Sequence, residues 1–370
     1  MRKPKVAFVA DWLVNRGGAE RVLLSLRELF PSAPVYTSIY NPDRLPGFED
    51  ASMITSFLQK LPAAKTKHTL YFPLMPYAFE QFDFSAYDIV ISSSHSAAKG
   101  IITKPRTLHI SYCHSPMRYC WDNSHAYIDQ YGLNPLLAKP AKKMITRMRL
   151  WDRAAADRVD FFIANSKYIK KRIQKYYRRD STVIHPPVDT SFFSEPAKIG
   201  EYFLAVGRLT PYKRFDLIID IFNELKWPLV IVGTGKDEKK LKALAKENIR
   251  FLGDIADEEL KNIYKKSIAL IFPQVEDFGL TPLEAMSSGK PVIAFAEGGA
   301  LETIDPGRTG LFFTEQKGEH LKKTLLEFEA LKWNPSDIRK HARLFDKGIF
   351  LEKMKNFVDE KWMIWQREMV

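Results

Sequence analysis

Residues 276–294 read EDFGLTPLEAMSSGKPVIA. Phe278-Gly279-Leu280-Thr281 predicts a tight turn, and Pro282 suits the first position of a helix over 282–288. IALIFPQ (268–274) before it and PVIAFA (291–296) after it read as strands. Strand, turn, short helix and strand together make one unit of a parallel sheet covered by helices. Glu276 stands at the strand end before the turn, and Glu284 about one turn into the helix. A carboxylate at either place can accept paired hydroxyls of a ribose or a hexose, and the turn's backbone N–H groups face an anion. Glu284 also reads as a carboxylate that favours the helix N-terminus electrostatically.

The same alternation runs outward in both directions. In the second half, EYFLAVGRL, PLVIVGTG and IRFLGDI are strands, and FDLIIDIFNEL, KDEKKLKALAKE and DEELKNIYKKS are helices between them. The first half repeats the pattern. Strands are expected at KVAFVA (5–10), PVYTSIY (34–40), YDIVISSS (87–94), TLHISYCH (107–114) and DFFIANS (160–166), with helices at 19–30 and 167–177. TVIH (182–185) then leads into PPVDTSFF, whose prolines favour an extended connection. This predicts an α/β protein of two doubly wound, Rossmann-like domains, 1–187 and 188–349, facing a central cleft. Leu351, Met354, Val358, Trp362, Trp365 and Met369 recur at helical spacing, so 350–370 is expected as a helix packing back on the first domain.

A length of 370 residues suits two domains, and 45% hydrophobic residues with 13% aromatics exclude a disordered chain. Apolar runs are strand-sized and fall short of the roughly 20 residues of a membrane span. MRKPKVAFVADWLV is basic then apolar but lacks a small-residue cleavage site. It reads as a first buried strand of a cytoplasmic protein. Cys113 and Cys120 suit neither a disulfide framework nor a closed zinc site, and read as small core residues.

The net charge of +12 is unevenly placed. Residues 1–187 hold 28 Lys+Arg against 15 Asp+Glu, and residues 188–370 hold 28 against 29. LLAKPAKKMITRMRLWDR (136–153) and KYIKKRIQKYYRRD (167–180) are basic and amphipathic, with Met144, Ile145, Met148 and Trp151 on one face of the first. Such helices suit an anionic bilayer surface, and one of the two is expected to pack its apolar face on the sheet instead.

Other strand ends offer further chemistry. Gly17 and Gly18 stand where WLVNRGGAER turns into a helix, a place for a phosphate or an ordinary turn. Arg208 and Lys213 flank a Pro turn in GRLTPYKRFD, a cation pair suited to a diphosphate or a solvated turn. VGTGKDE, with Gly233, either admits a ligand backbone closely or starts a helix. No two aspartates stand two apart, so no D-x-D metal motif is present. On its own His114 reads as a partly buried structural histidine.

Taken together, GRLTPYKR and EDFGLTPLEAMSSGKPVIAFAEGGALETI, with GGAER before them and DPGRTGLFF after, resemble the retaining GT-B glycosyltransferases of the E-x7-E type, family 4. SSSHSAAKG and YCHSPMRYCWD resemble mannosyltransferase-like members of bacterial surface polysaccharide assembly. The resemblance implies a metal-independent transfer of a hexose from a nucleoside-diphosphate sugar, with GDP-mannose the donor that the narrower likeness points to. No cofactor is implied. The acceptor would be a glycan or a lipid-linked hydroxyl, met at the inner face of the cell membrane. Arg208 and Lys213 would bind the donor diphosphate, Glu284 the ribose, Glu276 the donor sugar, and Gly17 and Gly18 the phosphates. His114 would sit by the reacting centre. The rival classes are a basic nucleic-acid-binding protein, which leaves the neutral second half unexplained, and a GT-B epimerase or phosphorylase.

Overall fold

The computed structural model describes residues 3–122, 135–194 and 200–368, the side chains of 135–138 excepted. Two compact units emerge. One comprises Met1–His185 with Phe350–Val370, and the other Pro186–Ile349.

In the first unit seven parallel strands form one sheet: β1 (Val6–Ala10), β2 (Val35–Thr37), β3 (Met53–Thr55), β4 (Ile89–Ser94), β5 (Leu108–Cys113), β6 (Phe161–Ala164) and β7 (Ser181–Val183). Their order is β3-β2-β1-β4-β5-β6-β7. Every residue of β1, β4 and β5 is buried, as a sheet covered on both faces requires. The order turns back between β1 and β4. Ligands of such sheets bind outside the strand ends at that switch.

The Lys347–Glu368 helix closes one face of this sheet. Its Phe350, Met354, Phe357 and Val358 are buried in one cluster with Phe8, Val22, Leu26 and Ile110. Trp365 Nε1 donates to the Arg106 carbonyl at 3.2 Å. Met369 lies outside the described residues.

The two basic helices differ from expectation. Pro135–Ala156 buries Ile145 and Met148 against Val90, Met75 and Phe79, with Met144 and Trp151 packed beside them. Lys167–Tyr177 buries Ile169, Ile173 and Tyr177 against Phe162 and Ala164. Both apolar faces are therefore spent on the unit's own core, not one of the two. Exposed apolar residues of this unit include Phe57, Leu70, Leu74, Tyr77 and Ile102, and Leu150 on the first helix.

In the second unit β8 (Tyr202–Val206), β9 (Leu229–Val232), β10 (Ile249–Gly253), β11 (Ser267–Phe272), β12 (Val292–Phe295) and β13 (Gly310–Phe313) form a parallel sheet. The order is β10-β9-β8-β11-β12-β13, so the switch falls between β8 and β11. The two ends of this unit are bonded together. Val188 N donates to the Phe345 carbonyl at 3.2 Å, and Lys347 N to the Val188 carbonyl at 2.9 Å. Among the described residues, no helix is long and apolar enough to cross a membrane. Cys113 and Cys120 are buried free thiols.

Candidate active site

The loops that follow β8 and β11 meet at the second unit's switch point. After β8 the chain makes a single 3₁₀ turn, Pro211–Lys213, and passes through Arg214 in the left-handed region (φ 54°) into the Phe215–Leu225 helix. This turn carries Lys213 to the Glu276 carboxylate, and the two form an ion pair that is 12% and 19% exposed. Residues assigned by resemblance to different parts of a donor are thus in contact. The Arg208 side chain is exposed and has no ion pair or hydrogen bond among the described residues. One cation is therefore held by a carboxylate, and the second stands free at the mouth of the same loop.

The glutamate loop is fixed from below. Gly299 N donates to the Glu276 carbonyl at 2.9 Å, and a Cβ on Gly299 would collide with the Phe278 backbone. That close approach accounts for the glycine at 299 in the loop after β12, Glu297-Gly298-Gly299. The G-x-G after β9 has a similar cause. Gly233 (φ 127°) stacks on the Gly207 carbonyl with no room for a side chain. Its backbone role supports the β8 loop from beneath.

The helix after this turn begins at Leu280, two residues earlier than expected, and ends at Ser287. Leu280 and Thr281 are its first turn rather than part of a loop. Gly279 (φ 90°) precedes it. Pro282 falls third in the helix, still within the turn whose N–H groups lack intrahelical partners. Phe278 buries its ring in the core, 5.9 Å from Phe345, so only its backbone is available to a ligand. Glu284 is 4% exposed, and its Oε2 accepts from the Tyr264 hydroxyl at 2.9 Å. Tyr264, itself fully buried on the Asp257–Lys266 helix, orients that carboxylate. Nothing in the sequence alone marks a tyrosine twenty residues upstream as its partner.

In the first unit, Gly17 and Gly18 open the Gly18–Leu29 helix as expected, but Glu20 shares the place. Glu20 is buried, with Oε2 2.9 Å from where a Gly17 Cβ would stand. A carboxylate thus already faces this helix N-terminus. His114 follows β5. Its Nε2 lies 2.8 Å from Ser93 Oγ, and its carbonyl accepts from Asn165 Nδ2 at 3.0 Å. Burial, aided by nearby His95, pushes the His114 imidazole down to about 3, so the ring is neutral near pH 7. It can accept or donate a hydrogen bond but brings no cation.

The sequence does not single out three residues of this unit, Asp11, Lys99 and Asp152. Asp11, directly after β1, is fully buried. Its Oδ2 accepts from the N–H groups of His95 (2.7 Å) and Ser96 (2.9 Å), and its Oδ1 from Ala98 N (2.6 Å). The signal available was an aspartate ending an apolar strand run. The turn it holds is also tied to the Pro135–Ala156 helix through a buried Lys99–Asp152 ion pair. Trp121 Nε1 (2.7 Å) and Tyr177 hydroxyl (2.8 Å) satisfy the other Asp152 oxygen. Among the described residues no group of three or more His, Cys, Asp or Glu is placed to hold a metal ion.

Residues 16–192 match the family described as Glycosyltransferase Family 4, and residues 188–345 match Glycosyl transferases group 1. The fold is that of the crystal structure of Anabaena HepE in complex with UDP, with a TM-score of 0.71, 16% identity, and 96% of this chain and 100% of that one covered. The chain belongs to the GT-B glycosyltransferases of family 4. Among its curated relatives in sequence is an uncharacterized glycosyltransferase of Methanocaldococcus jannaschii, 29% identical over 214 residues, 55% of this chain and 60% of that one. Another is the O-antigen chain mannosyltransferase RfbU of Salmonella typhimurium, 32% identical over 139 residues, 34% of this chain and 39% of that one. These matches span less than two thirds of the relatives' own lengths. In this family 4 chain both switch points carry ionisable side chains from two loops.

Proposed function

We propose that this chain transfers a hexose from a nucleoside-diphosphate sugar to a hydroxyl of a glycan or lipid-linked acceptor, with retention at the anomeric carbon. The observation that carries this reading is the Lys213–Glu276 pair beside a free Arg208, at the switch point of the second unit. A diphosphate leaving group gains charge as the glycosyl bond breaks, and preorganised cations lower that barrier. Arg208 and Lys213 supply them, with the N–H groups of Gly279, Leu280 and Thr281 beside them. In a nucleoside-diphosphate sugar the sugar hydroxyls and the adjacent phosphate are a few bonds apart. A carboxylate and an ammonium in contact therefore suit the two sides of that linkage. Glu276 takes the sugar hydroxyls, and Glu284, held by Tyr264, takes the ribose. Gly233 supports the diphosphate loop, and Gly17 and Gly18 approach the phosphates despite Glu20. His114, neutral, hydrogen-bonds at the reacting centre.

The family relatives support surface-glycan assembly, and RfbU suggests mannose, hence GDP-mannose as donor. We place the acceptor on the first unit, which also carries the excess of cations. Residues 57–77 of that unit contain Lys60, Lys65 and Lys67, no acid, and the exposed Phe57, Leu70, Leu74 and Tyr77. We take this segment to dock on an anionic bilayer at the inner face of the cell membrane. The test is release of free nucleoside diphosphate from a panel of nucleotide sugars, with and without polyprenyl-linked saccharide. Consumption of none of them would end this reading.

A further inference from the structure

The two sheets turn back at equivalent places, and in each the loops beyond the switch are joined by a carboxylate. In the second unit that carboxylate is Glu276. In the first it is Asp11, whose oxygens gather the turn after β4. Crevices of this kind bind ligands, yet Asp11 is fully buried and has no surface to offer one. Its reach outward is His95. The ring Nδ1 lies 3.1 Å from Asp11 Oδ2, and the side chain is 30% exposed. In the neutral ring the nitrogen so close to a carboxylate carries the proton, which leaves Nε2 with a lone pair. Nε2 has no protein partner among the described residues and is not among the buried polar atoms.

Trp12 completes the arrangement. Its half-buried indole meets the His95 ring edge-on at 4.7 Å and lies 5.1 Å from the His68 ring. A broad apolar plane beside one fixed hydrogen-bond acceptor is the chemistry that recognises a sugar, whose ring has an apolar face and a hydroxyl edge. We propose that Trp12 and His95 form the subsite for the acceptor sugar, with His95 Nε2 accepting a hydrogen bond from its hydroxyl and Asp11 as the positioning residue. This rests on the glycosyltransferase reading for its biological sense. The binding of a saccharide at this place can be tested without it.

The full-length protein is titrated with the methyl glycosides of mannose, glucose and galactose, and binding is read by saturation-transfer NMR. At least one should bind the wild type, and Trp12→Ala, His95→Ala and His95→Asn should each weaken it at least tenfold. The Asp11 clasp uses backbone N–H groups, which these His95 variants keep. If the alanine variant does not fold, the asparagine variant decides. A ¹⁵N correlation spectrum of the imidazole should place the His95 proton on Nδ1, a reading that a purely structural histidine need not give. Binding of no glycoside by the wild type, wild-type binding by the folded His95 variants, or a proton on Nε2 would overturn the subsite. Failure of the glycosyltransferase reading looks different: glycoside binding persists while no nucleotide sugar is consumed.

Discussion

The ammonium of Lys213 and the carboxylate of Glu276 pair across two loops that leave the sheet at adjacent strands, β8 and β11. The pair is mostly shielded, so each partner is costly to leave alone. It keeps Lys213 aimed at the strand ends in the free protein. That preorganisation matters more than the stability the pair adds.

Lys213→Ala should therefore reduce transfer more than tenfold, about 1.4 kcal/mol or more of transition-state stabilisation. The variant loses a cation at the leaving group and strands the Glu276 carboxylate beside it. Steady-state rates at saturating donor measure this, and a wild-type rate would remove Lys213 from the site.

The two glutamates should fail in different ways. A ribose contact is remote from bond breaking, so Glu284→Gln should weaken binding of the free nucleoside diphosphate. Tyr264→Phe should do the same more mildly, several-fold, because the carboxylate loses its holder. Glu276→Gln should bind the nucleoside diphosphate almost as wild type yet lower kcat, since its contact strengthens as the sugar gains charge. Calorimetric titration of the three variants decides; equal losses in both glutamate variants would show the pair misassigned.

Turnover is expected to survive chelation. On the proposed reading, Arg208 and Lys213 supply positive charge where a divalent ion would otherwise act. Activity abolished by EDTA and restored by Mg²⁺ would refute this.

Acid should destabilise the first unit through its buried imidazoles. Burial lowers His109 to about 4 and His114 to about 3, from the ordinary 6.5. Both fold in the neutral form, so the unfolded chain binds more protons between these values. Their contribution is complete above pH 6.5 and is lost as pH falls toward 4 and then 3. His109, whose Nε2 lies 2.9 Å from Ser92 Oγ, is the cleaner test. The melting temperature of His109→Asn should fall less steeply than that of wild type between pH 6.5 and 4.

Membrane docking by residues 57–77 predicts that the full chain sediments with phosphatidylglycerol vesicles and is released by high salt. Replacing Lys60, Lys65 and Lys67 with glutamate should abolish this. Equal binding to neutral vesicles would argue against an electrostatic dock.

Much of the fold is legible in the sequence because fully buried parallel strands are short apolar runs. KVAFVA, YDIVISSS and SIALIF stand out for that reason. Met53–Thr55 does not, being three residues long and only half-buried. The basic helices mislead for a physical cause. An amphipathic face is equally suited to a bilayer and to a sheet, and only packing tells which it meets. At the site, strand ends and turns point to Glu276 and Lys213, whose motif spacing is local. Their mutual contact is not local, nor are Tyr264 on Glu284 or Asp11 on the turn at His95. Those pairings join residues brought together only by the strand order.

The first unit recovers the last part of the polypeptide. Phe350, Met354, Phe357 and Val358 fill a core whose other walls end at Ile184, and all of Pro186–Ile349 is inserted between them. Because a ribosome delivers the chain from its N-terminus, the earlier unit has to wait for the later one. The inserted unit, with its own ends bonded at Val188 and Lys347, has its full complement of strands first. Released chains that end just before Phe350 should accordingly protect Pro186–Ile349 from protease while leaving the segment before it open to cleavage. Maturation would then run against the order of synthesis.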